Sequence, residues 1–160
     1  IAPKTEAKGV ARIQQFMRAN LDGFPNLEAA ADAVAAYREH RSRPKDISGL
    51  KKNLRLKDDG RWYWHWDPKY IDRRDRMDPA RVDRVREVTP NINVPTLLIR
   101  GGSSDVVSPE GVKDFLELLP TAQFIDVADA GHMVAGDKND IFTDAVMNFL
   151  GKIFAEPAAD

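Results

Sequence analysis

The chain has 160 residues, 42% hydrophobic and 31% charged, with a formal net charge of −1, a balance typical of a globular domain. Near-neutral charge supplies no overall field toward nucleic acid or an anionic membrane surface. The absence of cysteine excludes disulfides and thiolate chemistry and fits a cytoplasmic setting. No apolar run approaches the roughly 20 residues that span a bilayer, and no signal peptide is apparent.

In chain order, Ile1-Ala2-Pro3 reads like the tail of a strand, and a start on Ile1 rather than Met suggests that the chain does not begin where its gene does. Residues 7–19 carry Val10, Ile13 and Met17 at helical spacing. Residues 26–42 repeat that spacing with Leu27, Ala30, Ala31 and Val34, the alanines favour helix, and Asn26 is the expected N-cap. Ile47, Leu50 and Leu54 predict a third helix after Pro44. Asp58-Asp59-Gly60 is a turn signal. It is followed by an extended aromatic segment, Arg61 to Trp66, closed by Asp67-Pro68. Asp78-Pro79 opens another helix that runs to about Val88.

After a linker from Pro90 to Val94 the pattern changes. Thr96 to Ile99 is a short continuous apolar strand, the kind buried on both faces of a parallel sheet. Ser108-Pro109-Glu110 starts a helix with Val112, Phe115, Leu116 and Leu119 on one face, and a second strand covers Gln123 to Val127. The last helix carries a wide apolar stripe from Ile141 to Ile153, with Asp137 as a turn or N-cap residue before it. Residues 95–155 therefore read β-α-β-α, whereas residues 5–89 are mainly helical. A helix-joined parallel pair belongs to a larger sheet covered on both faces. Two short strands cannot bury these stripes, so the remaining strands are expected from another polypeptide.

The residues with chemistry stand at the ends of these two strands. An imidazole on such a loop can serve as a general base near neutral pH, and a carboxylate can fix its tautomer and stabilise the imidazolium. Asp105 follows the first strand and His132 the second. Loops leaving parallel strands open at one edge, where sites of open α/β sheets lie. Asp126 and Asp129 are rival acids, one inside the strand and the other too close in sequence to His132 to bridge to it easily. Asp105 is favoured, although an aspartate there also caps turns.

These stretches, Val94-Pro95-Thr96-Leu97-Leu98-Ile99-Arg100-Gly101, Ser104-Asp105-Val106-Val107-Ser108-Pro109-Glu110 and Ala130-Gly131-His132-Met133, resemble the C-terminal part of the α/β-hydrolase superfamily. The resemblance implies an α/β fold: the end of a core strand at residues 1–4, a helical cap over 5–89, and the C-terminal part of the core over 90–160. The sheet would be completed by strands outside this chain. It also implies the family order of nucleophile, acid and histidine, the last two falling on Asp105 and His132. No Gly-x-Ser-x-Gly elbow is present. Ser103 and Ser104 lie in no such glycine frame, so the covalent step and the oxyanion donors are absent. A separate chain, the N-terminal half of the hydrolase, is the expected partner. The implied activity needs no cofactor. It is hydrolysis of a small apolar ester, epoxide or related substrate, with a Ser or Asp nucleophile. The alternatives are a cofactor-free haloperoxidase-like member, a non-catalytic binding relative and a free-standing helical interaction module.

Several other features carry two readings. Trp62, Tyr63, Trp64, His65 and Trp66 either pack between cap and body or line a substrate pocket, as do Phe16, Met17 and Phe24. Trp62, Trp64 and Phe16 are the substrate-contact candidates there, with Val107 and Met133 beside the acid and the histidine. The cations between Arg38 and Lys57 read as a solvated face rather than a nucleic-acid patch, because no groove-reading motif accompanies them. Residues 72–87 mix six arginines with five acids, a salt-bridged helix surface. His40, His65 and His132 are scattered and show no zinc-ligand spacing.

Overall fold

The computed structural model describes residues 3–38, 43, 45–74 and 79–155. The chain divides into two compact units, Ala11–Met77 and the combination of Ile1–Val10 with Asp78–Asp160. Contacts hold the segments next to these divisions in the unit that contains Asp78–Asp160. Near the first, the Glu6 amide donates to the Val106 carbonyl at 2.9 Å. Near the second, Arg86 of helix α4 (Pro79–Val88) pairs with Asp114 of helix α5 (Pro109–Leu118). The expected helix cap at Asp78 lies outside the described residues.

In the first unit, strand β3 (Leu97–Gly101) and strand β4 (Gln123–Val127) pair in parallel, with Leu97 opposite Gln123 and Gly101 opposite Val127. Helix α5 joins them. Its start is fixed by sequence: Ser108 Oγ accepts from the Gly111 amide at 3.2 Å, and Pro109 occupies the first turn, where it lacks only a donor the helix does not use. Val112 and Phe115 on α5, with Leu119 just beyond it, are buried. A short helix α6 (Val134–Asp137) and a long helix α7 (Asn139–Ala155) follow β4. Val127, Ala130 and Val134 form the core here, packed by Ile99, Ile125 and Phe142.

The second unit holds most of helix α1 (Ala7–Arg18), helix α2 (Leu27–Tyr37) and an antiparallel pair, β1 (Leu54–Leu56) with β2 (Trp62–Trp64). Asn26 caps α2, its side chain accepting from the Ala29 amide at 2.8 Å. The turn at Asp58-Asp59-Gly60 uses Gly60 at φ +78, and Asp59 accepts from the Arg61 amide and the Tyr63 hydroxyl. Phe24 bridges to Trp62 beyond the pair. Phe24, Ala30 and Leu54 form the core, flanked by Leu27, Leu50, Trp62 and Trp64.

Two sequence expectations change. The helix expected around Ile47, Leu50 and Leu54 is only a 3-10 turn, Ser48–Lys52. Leu54 instead sits in β1 opposite Trp64 and is 1% exposed. Burial against Phe24 and Ala30 overrides the helical spacing, as packing commonly overrides propensity. Second, Asp67-Pro68 not only closes the aromatic segment but opens a helix: Asp67 accepts from the Lys69 amide at 2.9 Å and starts α3 (Lys69–Arg74), which buries Ile71. Among the described residues, β1–β2 and β3–β4 are separate two-stranded sheets, and no helix is long and apolar enough to cross a membrane.

Leu54→Ala should destabilise the second unit by about 2–5 kcal/mol, the usual cost of emptying a fully buried leucine site. Denaturant unfolding followed by tryptophan fluorescence reports it directly, since Trp62 and Trp64 pack on that site.

Candidate active site

The parallel register fixes where the two candidate side chains emerge. Beyond Gly101 the chain turns back on β4: the Gly102 amide donates to the Val127 carbonyl at 2.8 Å, and the Ser103 amide to the Ala130 carbonyl at 2.9 Å. The second half of this loop, with Asp105, is shaped by Ser104, whose Oγ accepts from the Val106 and Val107 amides at 3.3 and 3.2 Å. Ser104 is thus a turn former. His132 follows β4 on the adjacent loop and is exposed.

The Asp105 carboxylate acts electrostatically on His132. The His132 pKa lies below its ordinary value of 6.5, chiefly because burial of part of the ring disfavours the imidazolium; the Asp105 carboxylate opposes this and raises it. His132 is therefore neutral, and able to accept a proton, at neutral pH. Of the rival acids, Asp126 has an ion-pair partner. Asp126 stands opposite Arg100 in the strand register and accepts from its guanidinium at 3.0 and 3.1 Å. Asp129 adopts φ +56, the left-handed conformation that aspartate tolerates in turns.

Two glycines permit this packing. A Cβ on Gly101 would lie 2.0 Å from the Gly131 carbonyl oxygen, so the end of β3 touches the backbone next to His132. A Cβ on Gly9 in α1 would lie 2.1 Å from the Asp105 carbonyl oxygen. Asp137 is not an N-cap for the last helix. It ends α6, and its carboxylate accepts from the Gly131 amide at 3.0 Å, which ties down the residue before His132.

The substrate-contact candidates separate. Val107 is buried in the core of the first unit, whereas Met133, directly after His132, is exposed. Trp62 packs on the core of the second unit. Phe16 and Trp64 line a cleft of about 220 Å³ in that unit with Met17, Asn53, His65 and Trp66. Trp64 Nε1 is buried without a hydrogen-bond partner among the described residues. Arg100, Gly9 and Asp137 are the site-shaping residues that sequence reading missed. The available signals were a cation inside an apolar strand and a glycine inside a helix.

No protein-family model matches the chain. A 56-residue stretch, 35% of the chain, is 45% identical to the mouse sn-1-specific diacylglycerol lipase ABHD11 and covers 18% of that protein. The solved structure of E-2-(acetamidomethylene)succinate hydrolase superposes on 94% of the chain with a TM-score of 0.77 at 19% identity. An esterase of Mycobacterium tuberculosis superposes on 79% of it with a TM-score of 0.65 at 26% identity. These relatives and solved structures are α/β hydrolases, and the chain resembles that superfamily. It has the fold of the C-terminal portion of such a hydrolase, spanning 55% and 42% of the two solved structures and a smaller share of the curated relative.

Two outcomes are expected. In an NMR titration the His132 imidazole should titrate below 6.5, and Asp105→Asn should lower it further, because the carboxylate that favours the cation is gone. Since the folded pKa is depressed, this group's contribution to stability is full above the unfolded value and is lost as pH falls through the folded one. Gly101→Ala should destabilise the fold by at least about 1–3 kcal/mol, the cost of overpacking, read as a lower denaturant midpoint, because backbone rather than a movable side chain fills the space.

Proposed function

We propose that this chain contributes the acid and the histidine of an α/β-hydrolase active site, and that an N-terminal half outside these 160 residues contributes the nucleophile and the oxyanion donors. The observation that carries the reading is the placement of Asp105 and His132 on adjacent loops leaving two in-register parallel strands, with the carboxylate's field felt by the imidazole. In this reading the nucleophile attacks the substrate, His132 takes its proton and returns it to the leaving group, and Asp105 orients His132 and stabilises the imidazolium. No cofactor is required. Relatives named lipase and esterase support an acyl substrate, here a small apolar ester. An epoxide would call for an aspartate nucleophile, and that residue lies outside this sequence. Phe16 and Trp64 in their cleft are the proposed contacts for the apolar part of the substrate, and Met133 the contact beside the histidine. Residues 5–89 are the proposed cap. The cysteine-free composition suits a cytoplasmic enzyme.

The first unit also has apolar surface for a partner to cover. Val94 is 66% exposed, Met147 62% and Phe154 82%. β3 pairs with β4 alone among the described residues, which leaves an edge on which further strands can add.

The test is to combine the chain with an N-terminal half carrying Gly-x-Ser-x-Gly or Gly-x-Asp-x-Gly and to assay p-nitrophenyl esters and epoxides. Turnover is expected only from the pair of chains, and His132→Ala should reduce it by about 10³-fold or more. Unchanged turnover in His132→Ala removes the assignment. A stable complex that binds esters without turnover, with its elbow nucleophile replaced, points to the non-catalytic reading.

A further inference from the structure

We propose that Arg100 is a positioning residue: its buried guanidinium grips both ends of the loop that carries Asp105 and so sets where the carboxylate stands relative to His132. The inference rests on the functional reading above and adds to it a residue that touches neither substrate nor reacting atoms.

A charged side chain in a short apolar strand is costly to bury and needs compensation at every donor. Arg100 is 7% exposed. Its Nε donates to the Val107 carbonyl at 2.7 Å, its Nη2 to the Gly102 carbonyl at 3.1 Å, and its Nη1 to both oxygens of Asp126. Gly102 and Val107 bracket Asp105. One rigid plane therefore holds the beginning and the end of the acid loop, while the same plane is tied to β4 through Asp126. A lysine has no such fork and would reach fewer of these acceptors in fixed geometry.

The remaining ties show why this grip matters. Gly102 and Ser103 are bonded to β4 and the turn after it by their own amides. The hydroxyl of Ser104 shapes the turn from inside without fastening it to the sheet. Beyond Asp105, the Glu6 amide donates to the Val106 carbonyl, the Arg100 guanidinium to the Val107 carbonyl, and the Ser108 hydroxyl to Glu6 Oε1. Asp126 is 47% exposed, so solvent screens its ion pair with Arg100. The positioning lies in the two carbonyl contacts rather than in the pair.

The experiment is the NMR titration of His132 in the 160-residue chain, in wild type, Arg100→Met, Arg100→Lys, Asp105→Asn and the Arg100→Met/Asp105→Asn double variant, with His132→Ala to assign the signal. The sign separates mechanisms. Deleting a cation, and leaving Asp126 uncompensated, favours the imidazolium and raises the His132 pKa. Losing the placement of Asp105 lowers it. Positioning predicts that Arg100→Met lowers the pKa as far as Asp105→Asn does, and adds no further lowering in the Asp105→Asn background. Arg100→Lys should fall between. A folded Arg100→Met chain whose His132 pKa is unchanged or raised overturns the inference while leaving the Asp105–His132 pairing intact. If Arg100→Met does not fold, Arg100→Lys at the wild-type value overturns it. An unchanged pKa in Asp105→Asn overturns the pairing and this inference with it.

Discussion

The site depends on the in-register parallel pairing of β3 with β4. Because the strands run the same way and are matched from Leu97–Gln123 to Gly101–Val127, the loops that follow them leave one edge side by side. An antiparallel pair would send the two loops to opposite ends, and a register slip of one residue would turn Arg100 away from Asp126. The crossover through α5 is what permits parallel pairing at all, since such strands need a connection of about a dozen or more residues. Ser108 and Pro109, which start α5, therefore belong to the site's architecture although they lie outside its chemistry.

Within that frame, placement is achieved by contacts made to backbone atoms. Gly101 meets the Gly131 carbonyl and Gly9 meets the Asp105 carbonyl at distances that admit no Cβ. Asp137 holds the Gly131 amide, and Arg100 holds the carbonyls on either side of Asp105. Asp105 and His132 are thus held by contacts to the residues around them. Side chains on loops reach useful precision only when such a shell locks them.

Sequence reading captured the elements whose signals are local or strongly periodic. The strand from Gln123 to Val127, the Ser108 and Asn26 caps and the order of Asp105 and His132 were all legible, because capping chemistry and apolar runs announce themselves. Leu54 was not: its spacing suits a helix, and only the distant partners Trp64, Phe24 and Ala30 make it a strand residue. Asp126 and Asp137 show the same limit. Both read as a spare acid and a capping residue until Arg100 and the Gly131 amide, their partners in space, are known. The guanidinium in β3 broke the apolar pattern visibly. A breach of pattern tells where to look, whereas the contact that explains it is tertiary.

The same reasoning accounts for the uneven burial of the first unit. Parallel strands are stable when both faces are covered, yet the residues of β4 are largely exposed apart from Val127, and the side chains of Leu97, Leu98 and Ile99 are only half-buried. Met147 and Phe154 on α7 present apolar surface to solvent. At roughly 25 cal/mol per Å² of apolar surface removed from water, covering such side chains stabilises whatever strands add to the β3 edge. On the proposed reading, the strands that complete the sheet would also supply the nucleophile, so that folding and catalysis would share one interface.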